Sequence, residues 1–477
     1  MAAAGLVITP FLLHRLGARE LGTWLVVGQV LTLLGLLDMG VAAILPREVA
    51  RVSAAEGGPG VAELVRRVRW LVWLQTPAVA AVAAVCWAAA AAWTPDLGGP
   101  LAVILAAFVI QFPFRVPAAI LAGLQDLEFC GSVQAATWIV GTAVSVALVI
   151  EGWGLYALAA GWTAGQLLGC AACAWRLRAR HSFGPPHDRG WPGPTALAGL
   201  LWPSLWMSVR QAAQLLTVGV DVILLGVIVG HEAVIAYSCT GKLISIVTNQ
   251  PYMLVQSAVP AIAQLRAAGD SGGAWRAGQA VCQLVLLLSG AVAVGVVACN
   301  RGFVEWWVGA DQFGGPALST AMAVAMVARH WRFTLGFMLH AAGYDRDLAL
   351  VQLAEGAATA AATVAWMYAM GPIGGPLGLL TGIALVSAPA YIVILMYETG
   401  SSAAGIAAWT TPWMLRFGPV LACVVAASHL DLVRSPVAAA SLAVAAGSAY
   451  AVSQLPIARR EPLRGYLLLF FRKFRVA

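Results

Sequence analysis

Apolar runs of about twenty residues follow one another along this chain with only short polar turns between them, a length that matches one crossing of a hydrocarbon core. A backbone in hydrocarbon must satisfy its own N–H and C=O groups, which leaves helices and closed barrels as the choices. Barrel strands alternate apolar and polar residues at every second position. These runs are continuous, so the chain reads as an all-α polytopic membrane protein. Only 10% of its residues are charged, where an average soluble domain has about 25%, and its mean hydropathy is +0.83. Fifty glycines permit close helix approach and nineteen tryptophans suit the membrane interfaces. The same composition excludes collagen, coiled coil and disorder.

The predicted spans lie near residues 1–13, 20–45, 70–93, 100–122, 132–150, 153–175, 198–228, 233–262, 277–300, 317–341, 348–369, 373–396, 413–430 and 437–455, about fourteen transmembrane helices. Thirteen residues rise only about 20 Å as a helix, against a core of about 30 Å. The first helix therefore reads as truncated, or the recorded start as late. A cleaved signal peptide is the rival reading, but no basic segment precedes the run and no small-residue cleavage site follows Leu13.

With both termini placed in the cytoplasm, eighteen Lys and Arg residues fall in inside loops and the tail, among them Arg47, Arg66, Arg176, Arg266, Arg346 and Arg464. The outside loops hold four, Arg15, Arg19, Arg301 and Arg434. That bias sets the orientation. It also explains the net charge of +7 without nucleic acid as a partner. Residues 61–70 and 464–477 mix apolar and basic side chains as interfacial helices do. The eight cysteines lie almost entirely in apolar runs and read as small buried residues. Cys170 and Cys173 form a CxxC, but no second CxxC and no His at zinc-ligand spacing accompanies it.

The chain repeats itself. LGARELGTW from Leu16 has a counterpart in VGHEAVIAY from Val229, and AGLQDLEFCGSVQAAT from Ala122 in AGYDRDLALVQLAEG from Ala342. Two pseudo-symmetric six-helix lobes in the same orientation follow, an arrangement typical of transporters with the substrate site between halves. The expected organisation is an N-lobe over 1–190, a C-lobe over 191–396, two extra helices over 397–455 and a basic tail over 456–477, with the segment from Arg176 to Pro194 as linker.

Ionised side chains in mid-membrane cost at least about 2.5–3.5 kcal/mol and should face a cavity or a partner. The spans keep Asp38, Arg115, Arg210, Asp221, Lys242, Arg329, Arg332 and Glu355. Arg210, Gln214, Thr217 and Asp221 share one helix face, as do Ser238, Lys242, Ser245, Asn249, Tyr252 and Gln256 beyond them, and Gln352, Glu355, Thr359 and Thr363. Three polar stripes predict a wet cavity in the second lobe; the alternative is internal ion pairing. Arg210 and Asp221 cannot pair with each other, since eleven residues separate them by about 16 Å. Arg115, Arg210, Lys242, Arg329 and Arg332 are the candidate substrate-binding cations, with Gln214, Asn249 and Tyr252 as polar companions. Excess fixed positive charge suits an anion, and the arginine fork suits phosphate. No HExxH, nucleophile elbow or Walker loop is present. The reading is a secondary transporter, not an enzyme, with no cofactor.

ITPFLLHRLGARELGTW (Ile8 to Trp24), LLDMG (Leu36 to Gly40), VGVDVILLG (Val218 to Gly226), AVPAIAQL (Ala258 to Leu265), WWVGADQF (Trp306 to Phe313) and AAGYDRDLALVQL (Ala341 to Leu353) resemble the polysaccharide-transporter branch of the multidrug/oligosaccharidyl-lipid/polysaccharide (MOP) exporter superfamily. The resemblance covers nearly the whole chain. It implies a flippase that carries undecaprenyl-diphosphate-linked oligosaccharide from the inner to the outer leaflet of the bacterial cytoplasmic membrane by alternating access. A polysaccharide polymerase is the protein partner this implies. Asp38, Asp221 and Glu355 are then candidates for coupling to protons or sodium. The alternatives are a cation-coupled multidrug antiporter, a lipid II flippase, and a non-transporting scaffold of a glycan assembly complex.

Overall fold

The computed structural model describes the chain except residues 1–3, 94–96, 182–190, 249–250, 256–257, 259–261, 263–264, 267, 430–434 and 466–477. The described residues are helical throughout, joined by short turns, with no strand among them. They form two compact units: Phe11–Leu215, and Leu216–Ala477 together with Ala2–Pro10.

The first unit takes α1 (Ala4–Leu34) from Phe11 onward; the helix runs through Gly17, whose φ of 82° divides it in two, and continues into a 3-10 turn over Gly35–Asp38. The polar break expected after residue 13 is this glycine. Next, α2 (Val41–Trp93) is likewise two helices, divided at Gly57 with φ 67°. The unit goes on through α3 (Gly98–Gln111), a 3-10 turn over Phe112–Arg115, α4 (Val116–Gly123), α5 (Leu127–Ile150), α6 (Leu155–Arg180) and most of α7 (Pro194–Val218). Its core gathers Leu45, Val49, Leu71, Ile104, Phe112 and Ile120.

The second unit holds α8 (Val220–Ile228), α9 (His231–Thr240), α10 (Lys242–Val247), α11 (Ser271–Val308), α12 (Pro316–Ala341), α13 (Asp345–Met370), α14 (Gly374–Gly382), a π turn over Ile383–Ser387, α15 (Ala388–Thr399), α16 (Ala403–Ser428) and α17 (Pro436–Ala458). The last two pack on α11: Trp413 Nε1 donates to the Tyr450 hydroxyl at 2.8 Å, which donates to the Leu287 carbonyl at 3.0 Å.

Nine described helical segments are long and apolar enough to cross a membrane, or ten if Met207–Val218 and Val220–Ile228, bent by 47°, form one broken span. The sequence predicts about fourteen. The difference has physical causes: the 55-residue segment Asp345–Thr399 is a hairpin that reverses at Gly371 (φ 64°), and the polar α12, with Arg329, His330 and Arg332, falls outside the nine.

That hairpin is held by glycine. A Cβ on Gly374, Gly378 or Gly382 would lie 2.3 Å from Met367, 2.0 Å from Thr363 and 2.1 Å from Thr359 respectively, so two antiparallel helices touch backbone to backbone. The first unit repeats the device, with Gly161 against Ser145 and Gly165 against Thr137, so α6 lies on α5 as α14 lies on α13. Other features recur too. Gly17 and Gly230 have φ of 82° and 124°, and the Gly154 turn (φ 53°, ψ −133°) matches that at Gly371 (φ 64°, ψ −136°).

The turn hydrogen bonds fix the register of the second repeat. Asp126 N–H donates to Leu121 O and Tyr344 N–H to Leu339 O; Leu124 N–H donates to Ile120 O and Ala342 N–H to Met338 O. Each pair is 218 residues apart, so pairing Ala122 with Ala342, as the letters invite, is two residues out. Both lobes also tie this turn to the end of their sixth helix: Asp126 pairs with Arg176 at 2.8 Å, and the Tyr344 hydroxyl donates to Glu398 at 2.7 Å, Glu398 being bonded in turn by Arg266.

Candidate functional site

Two membrane helices of the first unit are interrupted beside each other. At the first interruption, the turn Gly35–Asp38 is followed by Met39 and Gly40, both left-handed with φ of 52° and 74°. That conformation costs a residue with a Cβ about 1–2 kcal/mol. Gly40 has a second reason to be glycine, since a Cβ there would stand 2.4 Å from the Ser204 carbonyl. The Asp38 carboxylate accepts the Gly40 N–H at 2.8 Å and is nearly buried.

The second interruption is Phe112–Arg115, where Pro113 and Pro117 remove backbone donors between α3 and α4. Arg115 projects from it. Its guanidinium lies 5.7 Å from the Phe108 ring centre and 6.0 Å from that of Phe112, and 3.5 Å from where a Cβ on Gly35 would be. Nη1 is buried without a hydrogen-bond partner, and among the described residues no carboxylate pairs with Arg115. Asp38 lines a small void together with Arg115, Val41 and Phe112, but makes no bond to Arg115.

Arg115 opens on a cavity of about 990 Å³ lined by α1, α3, α4, α5 and α6. Gln111, Gln134, Thr137 and Gln166 line it, and Arg115 is the one charged side chain among its described lining residues. Cys170 and Cys173 line it as small side chains. Irregular backbone at membrane depth is tolerated where it lines such a cavity, and broken helices mark transporter binding sites.

The second unit treats its charges differently. Arg332 donates to Glu355 at 3.1 Å, and Glu355 is completely buried. Thr359 and Thr363 on the same stripe pack against Gly382 and Gly378, so the α13 face expected to line a wet cavity seals a helix contact instead. Asp221 accepts the Tyr237 hydroxyl at 2.5 Å and the Val222 N–H at 2.9 Å. Arg329 acts on both electrostatically, its own Nε buried without a hydrogen-bond partner. His330 is pinned: a carbonyl can only accept, so Nε2 donates to Thr248 O at 3.1 Å and Nδ1 takes the Ser289 hydroxyl at 2.7 Å. The Tyr252 ring meets His330 edge-on at 5.1 Å and Phe333 at 4.0 Å. Lys242 lies over the first helix, its Nζ 2.7 Å from a Cβ built on Gly5.

The structure thus brings Asp38 near Arg115 without a bond between them, and pairs Arg332 with Glu355. Gln214 is exposed, Asn249 lies outside the described residues, and so does the side chain of Arg210. Sequence reasoning passed over Gln111, Gln134, Thr137, Gln166 and Tyr237. The signal for two of them is their spacing, Gln134 and Thr137 lying three residues apart on one helix face.

The family model described as "Polysaccharide biosynthesis protein" matches residues 64–312, more than half of the chain. No curated protein matches. Among solved structures, an inward-facing multidrug resistance MATE family transporter of the MOP superfamily superposes with a TM-score of 0.69 at 13% identity, over 84% of this chain and 94% of that one. The lipid II flippase MurJ, in its inward closed conformation, gives 0.67 at 12% identity over 96% and 97%. A MOP superfamily transporter from Pyrococcus furiosus, described as having a binding pocket of reverse polarity, gives 0.50 at 14% identity over 83% and 86%. These likenesses establish the fold.

Proposed function

The chain belongs to the polysaccharide biosynthesis protein family, and from that premise we propose that it flips undecaprenyl-diphosphate-linked oligosaccharide from the inner to the outer leaflet of the bacterial cytoplasmic membrane. A lipid diphosphate has a tail that can stay in hydrocarbon and a head that cannot cross it. The protein need supply only a polar, cationic path. The observation that carries the reading is Arg115, an uncompensated guanidinium between two broken helices at the wall of a cavity. Both termini lie in the cytoplasm on the distribution of Arg and Lys. An inside-negative potential then favours outward movement of negative charge by about 2.3 kcal/mol per charge per 100 mV.

Arg210, Lys242 and Arg329 are further candidate cations for the head group, with Gln214, Asn249 and Tyr252 as candidate polar ligands, while Arg332 is occupied by Glu355. Asp221, tied to a hydroxyl and an N–H, is the acid best placed to bind a coupling ion, ahead of Asp38. A drug antiporter needs an acidic, aromatic cavity to hold organic cations, and the cavity at Arg115 has the opposite sign.

The test is complementation of a bacterial strain lacking its own oligosaccharide flippase. The wild-type chain should restore surface polysaccharide and Arg115→Ala should not, at equal membrane abundance. Restoration by Arg115→Ala would remove Arg115 from the path, and failure of the wild-type chain at normal membrane abundance would favour the scaffold reading.

A further inference from the structure

In the second unit the carboxylate of Glu355 holds Arg332, and Tyr391, fully buried, stands beside them with Gln352. The first unit has the same framework built with smaller side chains. At a separation of 218 residues, Thr137 corresponds to Glu355, Gln134 to Gln352, Gly169 to Ser387 and Cys173 to Tyr391. The backbone bears this out. A Cβ on Gly382 would meet the Glu355 carbonyl at 3.1 Å, and a Cβ on Gly165 would meet the Thr137 carbonyl at 2.8 Å. Gly165 and Gly382 are 217 apart; the π turn Ile383–Ser387 adds the one residue that makes the separation 218 beyond it. The arginines are offset by one position, Phe114-Arg115 against Arg332-Phe333, yet each faces this place in its own unit.

The first unit therefore lacks the carboxylate and the ring, keeps the cation, and has in their place the cavity that Thr137, Gln134, Gly169 and Cys173 line with Arg115. We propose that the anionic group of the ligand takes, in the first unit, the position that the Glu355 carboxylate takes in the second: a lipid phosphate seated between Arg115 and Thr137. This rests on the flippase reading and deepens it by naming the anion subsite. Phosphate oxygens accept from the guanidinium, from the Gln134 amide and from the Thr137 hydroxyl, which now donates to the Gln134 carbonyl at 2.9 Å and would rotate to serve the ligand. A prenyl diphosphate and a bulk anionic phospholipid offer the same chemistry.

The test is binding of undecaprenyl diphosphate and of phosphatidylglycerol to the purified full chain, compared across variants of equal thermal stability. Thr137→Glu installs the internal carboxylate of the second unit and should weaken binding roughly ten- to a hundredfold. Thr137→Gln, of similar bulk without charge, should weaken it far less, and Cys173→Tyr, which restores the ring, should block it. If Thr137→Glu and Cys173→Tyr both bind as the wild type does, the subsite is wrong although the flippase reading stands. Equal, Thr137-dependent binding of both lipids upholds the subsite and removes support for a lipid-linked saccharide. Absence of binding of either lipid to the wild type overturns both.

Discussion

Glu355 holds Arg332 at 3.1 Å inside the second unit with no exposure to solvent of its own. Removing one partner of a buried pair strands the other charge, at about 3–5 kcal/mol, whereas removing both is far milder. Glu355→Ala should therefore lower thermal stability strongly in detergent. Glu355→Gln combined with Arg332→Met should recover most of it. Equal stability of the single and double variants would show that the pair is not what the site needs.

The glycine face of α14 admits no side chain. A Cβ on Gly378 would fall 2.0 Å from Thr363 Oγ1 and 2.6 Å from Thr363 Cα. Gly378→Ala should cost about 1–3 kcal/mol through overpacking, and Thr363→Ala should not rescue it, because the backbone clash remains. Thermal unfolding of the two variants and their combination decides this.

Arg176 holds the Asp126 carboxyl below its ordinary value of 3.8 through a hydrogen bond, against some desolvation. A depressed carboxylate contributes stability at pH above its unfolded value and loses it as pH falls through the lower, folded one. Wild type should thus lose stability below about pH 4 more steeply than Asp126→Asn, which has no such proton to take up. Melting temperature against pH, from 3 to 6, reads the difference; parallel curves would mean that the ion pair contributes nothing measurable.

Much of the fold is legible in the sequence because a hydrocarbon solvent leaves a chain few choices. The breaks near Gly17 and Gly57 stand where polar turns interrupt apolar runs, and Arg115 announces itself as a charge between two prolines. The pairing of Arg332 with Glu355 is not legible, since a polar stripe has the same spacing whether it faces water or a neighbouring helix. Thr359 and Thr363 illustrate this, as their hydroxyl-bearing side chains meet glycines in place of solvent. The register of the repeat was obscured by Ala and Gly letters that occur by chance in an alanine-rich chain, and it emerged from the turn hydrogen bonds. Thr137 and Gln134 carry no charge, so only their place on the cavity with Arg115 marks them.

The central claim is that this chain moves a lipid-linked anion past Arg115. Proteoliposomes containing a polyprenyl-diphosphate-linked sugar, with an external glycosidase to score what reaches the outer leaflet, test it directly. The account predicts rapid exposure of the sugar with the wild-type chain and exposure at the protein-free rate with Arg115→Ala. Equal exposure with and without Arg115, or no exposure by a wild-type chain that instead exchanges organic cations, would contradict it.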